Sequence, residues 1–414
     1  MSAEFPRAIL HLDGDAFFVA CEVARNPGLK NKPVVTGGER GIASAMSYEA
    51  KALGITRAMP VFQIRKNFPE VIVLNSDYRM YRLYAERMYQ IVRRYSDKVE
   101  EYSIDECFAD ITGLDREYRK TFETIIQEIQ NTLLAELGLP FSIGLSVNKV
   151  LAKIASKHNK PKGLTLIPQS KISEHIQNLP IGKVWGIGGQ TSAYLLRRGI
   201  KTAGDFVSKN EEWVKENCSK PYYEIWLELR GEVVYSINTE SSRIPKSLSS
   251  TSTFYPNSSD KSFLFSELSR HIEDVTHRAR ILSLAPSEVS FFLKTKDFSY
   301  FKDSISLPNK NALPHVTASL VEKSFEKIFR KNLIYRATGV TLYGLIKDSH
   351  VSKDLFGESE KLMAAEKVFD VVDNLSMRFG RGTVFIGSSL SASRKEGKRK
   401  NRKFLNIPFL GRTR

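Results

Sequence analysis

The sequence predicts a multidomain α+β chain in which two βαββαβ units flank a helical segment. Three observations lead there. Strand-like and helix-like runs alternate twice in the same order, first from about 8 to 168 and again from about 247 to 345. A glycine-punctuated helical stretch separates the two repeats. At 414 residues the chain is also long enough for two to four domains.

The apolar run Ala8-Ile9-Leu10-His11-Leu12 reads as a strand that ends at Asp13, and Phe17 to Ala24 reads as a helix stopped by Asn26-Pro27-Gly28. Lys32 to Thr36 is a short strand closed by Gly37-Gly38, and Ser47 to Leu53 a short helix ended by Gly54. From Tyr78 to Tyr95 the spacing of Tyr81, Leu83, Tyr84, Met88, Ile91 and Val92 is helical. Val99 to Tyr102 and Cys107 to Ile111 are strand-like and enclose Ser103-Ile104-Asp105-Glu106, which places two carboxylates at a hairpin tip. A helix follows from about Arg119 to Leu137, broken by Gly138 and Pro140. Next come a strand from Phe141 to Val147 and a helix opening at Asn148, a good N-cap. This order suits a ferredoxin-like unit with an inserted segment between about 19 and 77.

From Leu179 the texture changes. Val184-Trp185-Gly186-Ile187-Gly188-Gly189 precedes an amphipathic helix, Gln190 to Arg198, closed by Gly199. That pattern is a helix–hairpin–helix signal: Gly186, Gly188 and Gly189 let backbone approach closely, and the helix N-terminus offers free N–H groups to a phosphate of DNA. An ordinary glycine turn is the alternative, and the continuation Gly199-Ile200-Lys201-Thr202 favours the former. Residues 238–250 are serine-rich and read as a linker entering an edge strand. Beyond it the second unit runs through a helix at about 260–283, strands Glu288–Lys296 and Phe298–Leu307, a helix at about 316–331 and a strand Thr338–Leu345. After 349 the pattern weakens. Residues 394–414 carry nine Lys/Arg and one Glu, so 9 − 1 = 8 of the net charge of +16 lies in this tail. Such a run is expected to be a disordered tail that binds nucleic acid through its charge.

Lys and Arg exceed Asp and Glu by 62 to 46, which points to a polyanionic partner. Three distant cysteines, Cys21, Cys107 and Cys218, exclude a disulfide framework and fit a reducing compartment. No long apolar segment precedes Asp13 and no 18-residue apolar run occurs, so the chain is expected to be cytoplasmic and without a membrane span. Against this background Asp13, Asp105 and Glu106 form a cluster of strand-end carboxylates that calls for a cation. Oxygen-only ligation selects Mg²⁺ or Mn²⁺, and such a site suits phosphoryl or nucleotidyl transfer.

Taken in order, Asp13-Gly14-Asp15-Ala16-Phe17-Phe18, Ser47-Tyr48-Glu49-Ala50-Lys51, Ser103-Ile104-Asp105-Glu106 and Gly144-Leu145-Ser146-x-Asn148-Lys149 through Lys160-Pro161-Lys162-Gly163 resemble the Y-family translesion DNA polymerases. The bacterial DNA polymerase IV branch is the most similar, and the resemblance covers roughly residues 7–346. It implies a palm at 1–18 and 78–168, fingers at 19–77 and a thumb at 169–237. A linker at 238–246, a little finger at 247–348 and a C-terminal extension at 349–414 would follow. It further implies low-fidelity, template-directed DNA synthesis from dNTPs on primer–template DNA, in error-prone repair, with two Mg²⁺ per site. Asp13, Asp105 and Glu106 would be the metal ligands, Asp105 and Glu106 catalytic, with the Gly14 carbonyl also facing a metal. Phe18 matches the steric gate that excludes a ribose 2′-hydroxyl, although Phe17 beside it is as plausible a core residue as Phe18. Tyr48, Lys51 and Lys160 match positions that hold the incoming triphosphate. Lys353-Asp354-Leu355-Phe356 is similar to the end of sliding-clamp-binding peptides, with Ser352 in place of the usual glutamine; a plain loop-to-helix join is the alternative. The chain is expected to act as a monomer.

Three positions depart from the family pattern. Lys51 stands where Arg is common and so lacks the bidentate fork. Ala45 replaces a hydroxyl residue, and Gly14 replaces a bulkier one. Small residues at Gly41, Ala43, Ser44 and Ala45 imply a loose cover over the nascent pair. A nucleotide cyclase would use similar strand-end acids but would not need the hairpin or the second basic unit. A catalytically dead DNA-binding scaffold would not need the acids.

Overall fold

The computed structural model describes residues 4–239, 244–308, 310–348, 358–380 and 382–393. Two of the sequence expectations, the basic tail at 394–414 and the Leu355-Phe356 motif, lie outside the described residues. The chain forms two compact units, one within 4–239 and the other within 244–393.

The first unit opens with β1 (Ile9–Gly14) and α1 (Phe17–Arg25). A small insertion follows: β2 (Val34–Thr36), β3 (Ala45–Met46), α2 (Tyr48–Ala52), α3 (Val61–Asn67) and β4 (Ile72–Leu74). Its sheet, ordered β3-β2-β4, closes a core of its own built on Val35, Ala43, Ala50, Ile55, Ile64 and Val71. The chain then returns as α4 (Tyr78–Val92), β5 (Val99–Ser103) and β6 (Glu106–Asp110). Next are α5 (Leu114–Glu117), α6 (Phe122–Leu137), β7 (Phe141–Ser146), α7 (Lys149–His158) and β8 (Leu164–Ile167). The central sheet is ordered β5-β6-β1-β7-β8. Its first four strands are the ferredoxin-like arrangement, and β8 adds a parallel edge beside β7. Alternation along β1 separates two environments. Leu10 and Leu12 join Tyr81, Met88, Ile125 and Ile129 of α4 and α6 in the main core, whereas Ile9 packs with Phe108 and Ala152 of α7 on the other face.

The helical segment contains α8 (Ile172–Ile176), α9 (Gly189–Arg197), α10 (Ala203–Val207), α11 (Glu211–Asn217) and α12 (Lys220–Leu229). It is tied to α7 by Glu228, a fully buried acid whose two oxygens accept from the N–H groups of Val150, Val234 and Tyr235. Asn148 caps α7 and donates its amide to the carbonyls of Glu228 and Glu232.

The second unit comprises β9 (Ser247–Ser258), α13 (Lys261–Ile281), β10 (Leu284–Ala285), β11 (Glu288–Thr295) and β12 (Tyr300–Ser306). It continues through α14 (Pro314–Ile328), β13 (Tyr335–Tyr343), β14 (Ile346–Lys347) and α15 (Glu358–Phe379). The βαββαβ order expected from sequence is present, but the sheet runs β12-β11-β13-β9. The second and fourth strands are therefore central here, where the first and third are central in the first unit. Helix α15, which the loop-to-helix alternative allowed although patterning after 349 is weak, is held to α13 by Asp373. Its carboxylate accepts from Arg280 Nε at 2.7 Å and lies 2.7 Å from His277 Nδ1.

Candidate active site

Strand pairing assembles the acidic residues. Asp13 lies directly across from Glu106 in the β1–β6 ladder, and the Gly14 N–H donates to the Asp105 carbonyl at 2.8 Å. All three expected ligands therefore share one end of the sheet. Their side chains each take a separate partner. Asp13 pairs with Lys160, Glu106 with Lys153, and Asp105 accepts from Ser103 Oγ at 2.6 Å. Among the described residues no three acidic, His or Cys side chains converge on one point. The expected cluster is thus a cluster of backbone positions, because three like charges separate onto the nearest donors. The donor set is all oxygen and suits a hard divalent ion.

The electrostatics differ from acid to acid. Burial pushes the Asp13 carboxyl up to about 6 against the pull of Lys160, and burial likewise raises Asp105 against its bond from Ser103. Burial also works to raise Glu106, but contacts with His11 and Lys153 outweigh it and hold that carboxyl at about 2. Burial lowers His11 to about 4, and its Nε2 stands 3.6 Å from Glu106 Oε2, beyond hydrogen-bond reach. With His11 lowered to about 4, Lys153 is the cation that faces Glu106 near neutrality.

A second acid organises the other side. Asp15 is 1 % exposed and accepts from Ser142 Oγ at 2.8 Å, from the Lys162 N–H at 2.7 Å and from the Tyr48 hydroxyl at 3.3 Å. Lys160 Nζ also lies 3.4 Å from it. Tyr48 and Lys160, two of the three expected triphosphate contacts, thus both reach Asp15, with Lys160 shared between Asp15 and Asp13. Lys51 is exposed, with its ammonium 5.9 Å from the Tyr48 ring centre. Phe17 is in the core, whereas Phe18 is half-buried and stacks on Tyr81 at 4.6 Å. The structure therefore separates the two phenylalanines that the sequence left equivalent. A side chain at Gly14 would meet Phe17 Cδ2 at 2.8 Å and Phe141 Cε1 at 3.3 Å, so those rings account for the glycine there.

The hairpin at 184–189 is formed as expected. Gly186 takes φ +90° with Ile225 close against it, and Gly188 caps α9, which begins at Gly189, one residue earlier than read from sequence. Both Gly188 and Gly189 face open space.

Comparison with known proteins agrees with this geometry. Residues 12–157 match the impB/mucB/samB family model and residues 245–355 match its C-terminal domain model. A DNA polymerase IV from Ureaplasma parvum is 30% identical over 369 residues, spanning 86% of this chain and 99% of the relative. DNA polymerase IV 1 of Bacillus subtilis is 30% identical over 408 residues, 96% of each chain. The chain belongs to the DNA polymerase IV family.

Among solved structures, a Y-family DNA polymerase chimera superposes with a TM-score of 0.70 at 23% identity, covering 82% of this chain and 99% of that one. The insertion ternary complex of Dbh DNA polymerase gives a TM-score of 0.52 at 22% identity over the same shares. Membership in the DNA polymerase IV family makes the chain a DNA-directed DNA polymerase. Among the described residues no helix is long and apolar enough to cross a membrane. Sequence reading had missed four residues that contact the candidate site: His11, Asp15, Ser142 and Lys153. Asp15 carried a signal, since it stands two residues after Asp13 at the same strand end. Lys153 carried none, because Lys149, Lys153 and Lys157 recur every four residues and spacing alone does not single out one of them.

Proposed function

We propose that Asp13, Asp105 and Glu106, with the Gly14 carbonyl, hold two Mg²⁺ or Mn²⁺ ions for nucleotidyl transfer from a dNTP to a primer 3′-hydroxyl on template DNA. Bound there, the ions would acidify the 3′-hydroxyl and neutralise the phosphates of the leaving pyrophosphate. Asp105 and Glu106 would position the ions, so no side chain has to act as general base. Tyr48 donates its hydroxyl to the triphosphate, and Lys51 and Lys160 supply charge to it, Lys160 exchanging carboxylate for phosphate oxygen. The exposed part of Phe18 excludes a 2′-hydroxyl. The N–H groups around Gly186, Gly188 and Gly189 take the DNA backbone. The domain boundaries are those the resemblance implies, with palm at 1–18 and 78–168, fingers at 19–77, thumb at 169–237 and little finger at 247–348. Ala43, expected among the small residues over the nascent pair, lies instead in the core of the insertion; the remaining small residues Gly41, Ser44 and Ala45 support a loose cover and error-prone translesion synthesis in repair of damaged DNA. A monomer in the cytoplasm, reaching a sliding clamp through Leu355 and Phe356, completes this reading.

The observation that carries it is the direct pairing of Asp13 with Glu106, with Asp105 adjacent, at one sheet end. Primer extension with Mg²⁺ on an undamaged and a lesion-bearing template tests it. Extension past the lesion, with frequent misinsertion, is expected. Stalling at every lesion with high fidelity on the undamaged strand would overturn the translesion assignment.

A further inference from the structure

We propose that Lys153 is a positioning residue for Glu106, and that an aromatic clamp of Tyr102 and Trp185 makes Glu106 respond to the seating of the 184–189 hairpin. The inference rests on the reading of Glu106 as a metal ligand and of that hairpin as a DNA contact.

Lys153 is 4 % exposed, on the face of α7 that packs against β1 and β7. A buried ammonium is costly unless paired and directed. Its Nζ bonds Glu106 Oε2 and also lies 4.4 Å from the Tyr102 ring centre and 5.1 Å from that of Trp185. The two rings meet edge-on at 5.4 Å, and the Trp185 indole N–H donates to the Tyr102 hydroxyl at 3.2 Å. Phe108, paired across from His11, closes the group at 5.7 Å from Trp185. The contact of Lys153 and the approach of His11 both fall on Oε2, so neither uses Oε1. One oxygen of the carboxylate is anchored and the other is left for a ligand, the arrangement by which a supporting group orients a metal-binding carboxylate.

Trp185 is the residue immediately before Gly186, whose positive φ makes the hairpin bend. A shift of the hairpin onto a DNA backbone therefore moves the ring that confines Lys153. The path from hairpin to carboxylate is two contacts long. Coupling of this kind is reciprocal, so bound cation should also tighten the hairpin's hold on DNA.

The sign of the metal effect discriminates the proposal. Removing a cation beside three carboxylates would, by charge alone, tighten divalent-ion binding. Losing the anchor of Glu106 would weaken it. We expect Lys153→Met to raise the Mg²⁺ concentration for half-maximal extension roughly 10- to 100-fold, the range for lost supporting contacts at metal sites. Lys153→Arg, which keeps the charge, should recover most of this. A second readout needs no turnover. Mg²⁺ titrated into the full chain should perturb the tryptophan emission that Trp185→Phe removes, and primer–template DNA should lower the Mg²⁺ needed. Both effects should vanish in Lys153→Met. An unchanged or lower Mg²⁺ requirement in Lys153→Met overturns the proposal. Should that variant fail to fold, an emission signal in Trp185→Phe equal to wild type, with unaltered Mg²⁺ response, does the same. Glu106→Gln separates the two levels: if it keeps full extension, the metal-site reading itself fails, whereas its inactivity beside a normal Lys153→Met refutes only the positioning role.

Discussion

Replacing Asp15 by alanine tests how far one buried acid supports the nucleotide side of the site. The substitution removes the acceptor from Ser142 Oγ, 2.8 Å away, and from the Lys162 N–H, 2.7 Å away. A hydrogen bond to a charged group contributes roughly 1.5–3 kcal/mol, so the two together represent roughly 3–6 kcal/mol. Release of a buried carboxylate from its desolvated position returns part of this. The Tyr48 contact at 3.3 Å and the Lys160 contact at 3.4 Å are longer and only partly buried, and add little to stability. The expected loss is about 2–4 kcal/mol, which in a unit of this size lowers the melting temperature by roughly 4–16 °C. Tyr48 would lose its carboxylate acceptor while Lys160 keeps its bond to Asp13, so KM for dNTP should rise while kcat falls less. Asp15→Asn keeps the volume and one acceptor and should show about half of both effects. Thermal unfolding by circular dichroism and steady-state single-nucleotide insertion give the two numbers. An Asp15→Ala enzyme with wild-type melting temperature and wild-type KM would refute the reasoning.

Other expectations can be checked independently. Phe18→Ala should admit ribonucleotides, read as the ratio of dCTP to CTP insertion opposite template G; an unchanged ratio would leave Phe18 as a packing partner of Tyr81. DNA affinity should fall by roughly 10³–10⁵ between 50 and 200 mM salt and show no sequence preference, because the expected contacts are backbone amides and cations. Burial works to raise the Asp373 carboxyl, but Arg280 and His277 hold it at about 2, below its ordinary value of 3.8. The clasp between α15 and α13 is therefore complete above about pH 4 and is lost as the pH falls towards 2. The difference in melting temperature between wild type and Asp373→Asn should shrink over that window, and a constant difference would show that the clasp does not titrate.

Much of this architecture was legible because period and punctuation agreed. Asn26-Pro27-Gly28 ended α1, Gly138 ended α6, and Asn148 opened α7, each by a local rule that tertiary structure kept. The metal-ligand candidates were legible for the same reason, since acids at strand ends survive any reasonable pairing. Strand order in the second unit was not legible. The same βαββαβ sequence interlocks either with its first and third strands central or with its second and fourth, and element order does not choose between them. Leu83 fitted the helical spacing of α4 yet is 60 % exposed, because spacing shows a stripe but not its width. Asp15 and Lys153 were missed for a common cause. Their value depends on partners far away in sequence, Ser142 and Lys162 for one, Glu106 and Trp185 for the other, and only folding brings those together.

The most direct measurement is primer extension by Asp105→Ala and Glu106→Ala, made alongside the primer–template affinity of the same preparations. Loss of extension at saturating Mg²⁺ with nearly unchanged DNA affinity is expected, because these carboxylates are proposed to serve the cation and the phosphate contacts to lie at Tyr48, Lys160 and the 184–189 hairpin. Near-normal turnover by either variant would contradict the account.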